Sequence, residues 1–197
     1  MGSSFSRQQM ESWLKTVEVK GGKVLDVGGS QNPLSSKRLK TFEPEDYKIL
    51  DLEVPHECKR VPDFPEDIQE INFEQYNKDW LGYFDTAFCL EVAEYWWNPL
   101  QALKNINTFL KKGGLFYSSW HFIYPMHNLI EEDCLRYTRF GCIKLLEKAG
   151  FKIEEITPRI TENFDLNTLY AIEGMRPAKS FEHHNSEIGY LINARKK

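Results

Sequence analysis

A chain of 197 residues with 41% apolar and 27% charged residues has an ordinary globular composition, which excludes disordered and fibrous classes and suits one α/β domain better than two. No uncharged apolar stretch approaches the roughly 18 residues that cross a membrane, and the leading MGSSFSRQQMESW has no apolar segment of secretory type, so no membrane partner is expected. The net charge of −4, with basic clusters no longer than Lys37–Lys40 and Arg195–Lys197, argues against a partner held by nucleic-acid phosphates.

Taken in chain order, Phe5, Met10, Trp13, Leu14 and Val17 recur at helical spacing and predict a leading helix within residues 1–20. Lys23–Val27 is a short apolar strand that stops at Gly28-Gly29, and Tyr47–Asp51 is a second of the same kind. Pro55, Pro62 and Pro65 then rule out a regular crossover helix, and Asp67–Ile71 is predicted as the third strand. Phe84–Leu90 forms a fourth strand. An amphipathic helix follows over 99–111, with Gly113-Gly114 as its C-cap. Leu115–Ser119 is the fifth strand, 138–149 a helix capped by Thr138 and stopped at Gly150, and Phe151–Ile156 a half-buried strand. A helix is possible over 164–174, and 188–194 is the last strand. The alternation of strands and helices predicts a Rossmann-like three-layer α/β/α sandwich around a parallel sheet, with no domain boundary.

Chemistry concentrates where strands end. An acid, Asp26, sits two residues before Gly28-Gly29-Ser30, and Asp51 ends the next strand 23 residues after Gly28. Glycine lets a ligand approach the backbone, and a carboxylate at the second position can accept both ribose hydroxyls, so a nucleoside-containing cofactor is expected. A dinucleotide site wants G-x-G-x-x-G over pyrophosphate, whereas Asp26 would repel pyrophosphate and attract an ammonium. That order disfavours a nicotinamide oxidoreductase.

These residues resemble the class I S-adenosylmethionine-dependent methyltransferases (type 11/23-like). Leu25–Gly29 is similar to the family's first motif, Ile49–Asp51 to its ribose-binding acid and Asp67–Asn72 to the segment lining adenine. Phe84–Tyr95 with Asn98-Pro99 is similar to the fourth-strand block, and Leu110–Leu115 to the turn into the fifth strand. The run Tyr124–His127, Asp133, Arg136–Thr138, Leu145-Leu146 and Ala149–Phe151 resembles a branch tied to glycan and small-molecule modification. The resemblance implies a seven-stranded, mostly parallel sheet with an antiparallel last strand. It also implies S-adenosyl-L-methionine as cofactor, held by Asp26, Gly28, Gly29, Ser30, Asp51, Leu52, Glu70, Ile71, Leu90 and Glu91. The chain departs from the family at Ser30 and Asn32, where glycines are usual, at Tyr95, where a histidine is usual, and at Lys112, where a proline is usual.

Methyl transfer to oxygen or nitrogen can use a base of near-neutral pKa, and His127, then His121, are the candidates beyond the fifth strand. Trp96, Trp97, Tyr124, Asp133, Arg136 and Tyr137 are candidates for contacting the acceptor, with 120–137 and 160–185 as insertions on the substrate side. Asn98-Pro99 continues as Leu100-Gln101, unlike the D/N-P-P-Y/F run of base-amine methylation. No Pro-Cys dipeptide of cytosine methylation occurs either. A small-molecule or glycan-type acceptor is therefore expected. The alternative is a catalytically inactive module that keeps the fold for binding or regulation. The four cysteines have no CxxC pairing and His183-His184 lacks a second ligand pair, so no metal site and a reducing, cytoplasmic location are expected.

Overall fold

The computed structural model describes residues 4–55, 58–73, 78–126, 131–161 and 186–197. Helix α1 (Phe5–Leu14) starts where the Ser4 side chain accepts from the Arg7 amide, and buries Ser6, Met10, Trp13 and Leu14. Its end at Leu14 is earlier than the sequence suggests, because Glu18–Lys20 forms strand β1 and pairs in parallel with β3 (Thr41–Glu43).

The main sheet holds β2 (Lys23–Val27), β4 (Asp46–Asp51), β5 (Phe64–Pro65), β6 (Phe84–Cys89), β7 (Leu110–His121), β8 (Phe151–Ile160) and β9 (Glu187–Lys196). Its order is β5-β4-β2-β6-β7-β9-β8, with β9 antiparallel to both β7 and β8 and every other pairing parallel. The predicted antiparallel last strand is therefore present, inserted between its neighbours. Helices α2 (Pro99–Phe109) and α3 (Arg139–Lys148) share one core with the sheet residues Leu25, Ala87, Phe116, Trp120 and Ile192. On the opposite face α1 packs with Val24, Phe88, Leu191, Leu34 and Leu39. Alternate residues of each strand serve the two cores, as a pleated sheet covered on both faces requires.

Three expectations are corrected. Asp67–Glu70 is a turn, and the third strand is the two-residue β5. This is an edge strand, the position in a sheet where Pro65, lacking an amide hydrogen, is tolerated. Gly113 and Gly114 do not cap α2, which ends at Phe109. The chain enters β7 at once, and the glycines sit in it beside a register shift against β6, Gly113 at φ +78°. Trp120 and His121 are the last residues of β7, so the segment predicted as an insertion from 120 begins inside the sheet. The possible helix over 164–174 lies outside the described residues. Among the described residues no helix is long and apolar enough to cross a membrane.

Candidate active site at the carboxyl edge of the sheet

Strands β2 and β4 deliver the first half of the site. At the end of β2 the chain turns through Gly28 at φ +75°, its amide donating to the Leu50 carbonyl at 2.8 Å. A Cβ on Gly28 would lie 2.2 Å from Val92 Cγ2, and one on Gly29 2.4 Å from the Asp26 carboxyl, so both positions require glycine. Ser30 is fully buried. Its amide donates to Asp51 Oδ2 at 3.0 Å, while its hydroxyl has no partner among the described residues. The Leu52 amide donates to Asp51 Oδ1 at 2.9 Å. A carboxylate offers about four lone-pair directions, so Asp51 keeps acceptor capacity after anchoring the glycine turn.

Asp26 is 3% exposed. Its Oδ2 accepts from the Tyr47 hydroxyl at 2.6 Å and from the Leu34 amide at 3.3 Å, and that amide also reaches the Tyr47 oxygen at 2.9 Å. Burial pushes the Asp26 carboxyl up to about 6 against the pull of the Tyr47 bond and the nearby Arg38. Tyr47 is a residue the sequence reading assigned only to a strand.

Strands β6 and β7 deliver the second half. Glu91, two residues beyond the end of β6, takes φ +60°, a conformation costing a non-glycine residue about 1–3 kcal/mol unless its surroundings hold it. They do: its amide donates to Ser119 Oγ at 2.7 Å, and Ser119 Oγ donates to Glu91 Oε1 at 2.9 Å. The Glu91 carboxylate also pairs with Arg159 Nη2, and its Oε2 lies 3.1 Å from His121 Nε2. Glu94, 1% exposed, approaches the same Nε2 at 3.4 Å, and the Tyr124 ring stacks on the imidazole at 4.0 Å between centroids. Burial works against a charge on His121, but the two carboxylates outweigh it and lift the imidazole to about 9. Burial likewise opposes ionisation of Glu91, and Arg159 with His121 reverses that and holds its carboxyl well below the usual range. Both carboxylates favour the protonated imidazole. The structure thus places His121, the runner-up base of the sequence reading, fully buried between Glu91 and Glu94. Glu94 entered the sequence reading only as part of the fourth-strand block, and Arg159 and Ser119 were not singled out, since nothing local marks them.

The remaining candidates divide by burial. Trp96 is 2% exposed and meets Trp120 edge-to-face at 6.1 Å, so it is core and not a platform for a substrate. Tyr137 is core as well: its ring packs on Trp120 at 4.7 Å and its hydroxyl donates to the Ala93 carbonyl at 2.6 Å. Asp133 and Arg136 form a bidentate pair, and Arg136 also donates to the Tyr124 and Pro125 carbonyls, which fastens the chain beyond β7. Trp97 is 61% exposed at this edge and free to meet a ring. Glu70 is exposed, and Ile71 is buried in the α2/α3 core, so the pair does not face one space. Between them and Trp97, Gln69 Oε1 accepts from the Asn98 amide at 2.8 Å and ties the two loops. His127 and His183-His184 lie outside the described residues.

The left-handed glycine turn, the unpartnered Ser30 hydroxyl and the spare acceptors of Asp51 fit a nucleoside-linked amino acid laid across the ends of β2 and β4. Residues 34–118 match the family model described as a methyltransferase domain; the match begins just after the glycine turn. No curated protein matches the chain significantly by sequence. Among solved structures, an S-adenosylmethionine-dependent methyltransferase from Mesorhizobium loti is similar at 13% identity. It covers 98% of this chain and 99% of its own, with a TM-score of 0.59. The 1,6-didemethyltoxoflavin-N1-methyltransferase of Burkholderia thailandensis, solved with 1,6-didemethyltoxoflavin and S-adenosylhomocysteine, is 14% identical. It covers 98% and 76%, with a TM-score of 0.55. The [4+2]-cyclase SpnF is 17% identical over 95% and 80%, with a TM-score of 0.54. At these identities the structures share the fold alone.

Proposed function

We propose that this chain, a class I S-adenosylmethionine-dependent methyltransferase, methylates oxygen or nitrogen of a small-molecule or sugar-type acceptor and works as one domain over residues 1–197. The observation that supports the cofactor site is the junction of Gly28, Ser30 and Asp51, with the strand order reversing at β2 between β4 and β6. Open α/β sheets bind ligands in that crevice. Bound there, S-adenosylmethionine supplies a methyl group already activated on a sulfonium.

The chain's part is to hold and to exclude water. Asp51 accepts from the ribose, Gly28 gives the amino-acid moiety room against the backbone, and Asp26 is the acid nearest its ammonium. Trp97 and Tyr124 offer rings to the acceptor. His127 is the better candidate base and His121 the runner-up, and His127→Ala should lower turnover about a hundredfold with cofactor affinity intact. The acidic net charge supports an acceptor other than nucleic acid, and the unpaired, widely spaced cysteines support a reducing cytoplasm.

Calorimetry with S-adenosylmethionine, S-adenosylhomocysteine and NAD tests the reading. Micromolar affinity for the first two and none for NAD is expected, whereas NAD binding alone would overturn it. A second reading, a catalytically inactive module that keeps the fold for binding or regulation, is favoured by Ser30 and Asn32 standing where the family usually has glycines. Binding without conversion of S-adenosylmethionine across an acceptor library would select it.

A further inference from the structure

Arg159 lies on β8, at the far edge of the sheet from the cofactor turn, yet its side chain is fully buried and reaches Glu91. The strand register explains how. His121 on β7 and Arg159 on β8 both pair with Gly189 on β9, so the three occupy one row and point to the α1 face. Two strand spacings, about 10 Å, separate the outer two, and Gly189 lies between them with the Trp120 carbonyl oxygen pressed against its Cα. A Cβ on Gly189 would lie 2.5 Å from the Trp120 carbonyl oxygen and 3.7 Å from Arg159 Cδ. Over the glycine, Arg159 Nη1 donates to Ser6 Oγ of α1 at 2.9 Å while Nη2 pairs with Glu91. Glu91 in turn carries the left-handed turn that sets Val92 against Gly28.

We propose that Arg159 is a positioning residue for the cofactor turn. It acts through Glu91, with Ser6 of α1 as its strut, and the inference rests on the cofactor reading above. Two acidic and two basic side chains meet here, Glu91 and Glu94 with His121 and Arg159. Around them stand Ser6 from α1, Ser119 from β7, Tyr124 stacked on His121, and Tyr95 with the Asp133–Arg136 pair beside Glu94. Removing Arg159 takes a positive charge from the cluster and frees the Glu91 carboxylate to turn away. The Glu91 backbone then loses a restraint on its left-handed conformation, and Val92 shifts against Gly28.

A double-mutant cycle read by calorimetry with S-adenosylhomocysteine tests this. Arg159→Met is expected to weaken binding tenfold or more at pH 7.5. In a Glu91→Gln background the same change should cost less than threefold, because the residue it acts through is already altered. Arg159→Lys keeps the charge, and so the fold, but an ammonium cannot hold Ser6 and Glu91 together. It should lose at least threefold. Wild-type affinity in both Arg159 variants, or an equal loss with and without Glu91, would overturn the proposal even if melting temperatures fell. Wild-type protein that binds no S-adenosylhomocysteine would instead remove the cofactor reading, and this role with it.

Discussion

Asp26 is held at a cost to the fold, and replacing it should make the protein more stable and less able to bind its cofactor. The carboxyl is 3% exposed and raised from 3.8 to about 6, chiefly by burial. A native pKa above the unfolded one means that unfolding releases a proton between about pH 4 and 6, so stability falls as pH rises through that window and stays lower above it. The displacement corresponds to about 3 kcal/mol. Asp26→Asn removes the charge while its carbonyl oxygen can still accept from Tyr47 and Leu34. Its advantage over wild type should be near zero at pH 4, grow to about 3 kcal/mol by pH 6.5 and then level off. In a chain of this size that is a gain of about 6–12 °C in melting temperature. Calorimetric melts of the two proteins from pH 4 to 8 give the difference directly, and S-adenosylhomocysteine affinity at pH 7.5 should fall in the more stable variant. Parallel melting curves across that range would refute the reasoning, as would an amide variant that binds as tightly as wild type.

Other substitutions separate holding from folding. Asp51→Asn exchanges acceptor capacity for a donor at the ribose position, and its S-adenosylhomocysteine Kd should rise roughly tenfold to a hundredfold. Gly28→Ala meets both a left-handed backbone and Val92, and should lower the melting temperature by the equivalent of at least about 1–2 kcal/mol and abolish cofactor binding in the same titration. Trp97→Ala, at an exposed position, should leave stability within about 0.5 kcal/mol and raise the KM for an acceptor with cofactor affinity unchanged. Tyr137→Phe loses the bond to Ala93 and should cost about 1–2 kcal/mol in a denaturant melt without touching cofactor affinity.

The elements that sequence made legible are those whose causes are local. Lys23–Val27 into Gly28, Phe84–Cys89, and α2 starting at Asn98-Pro99 each carry an apolar pattern beside a turn or cap residue that says where it ends. The third strand was misread because its two residues take their conformation from pairing with Leu50 and Asp51, and no pattern in Phe64-Pro65 announces that partner. In the site, Asp26, Gly28 and Asp51 were legible because glycine geometry and a strand-ending acid act at their own positions. The roles of Trp96 and Tyr137 were not, since aromatic side chains look the same in sequence whether they pack on Trp120 or face solvent. Arg159 and Ser6 were invisible for a stronger reason: their meeting depends on the register of β8, β9 and β7, which no single segment encodes. Gly189 was the available trace, a glycine within a strand that marks a close crossing.

The placement of β9 between β7 and β8 dictates an order of assembly. Residues 151–160 emerge from synthesis well before residues 187–196, yet β8 has no ladder to join until β9 has been made, and the β7 edge stays open until β9 docks on it. Until then the longest strand of the sheet presents an unpaired edge from Leu115 to His121, including Phe116 and Trp120, to any neighbouring chain. Non-local closure of this kind is slow and exposes the intermediate to aggregation. Low temperature and slow induction should therefore raise the yield of folded protein more than any change to the finished core, and charged residues near that edge are where variants with better yield should be found.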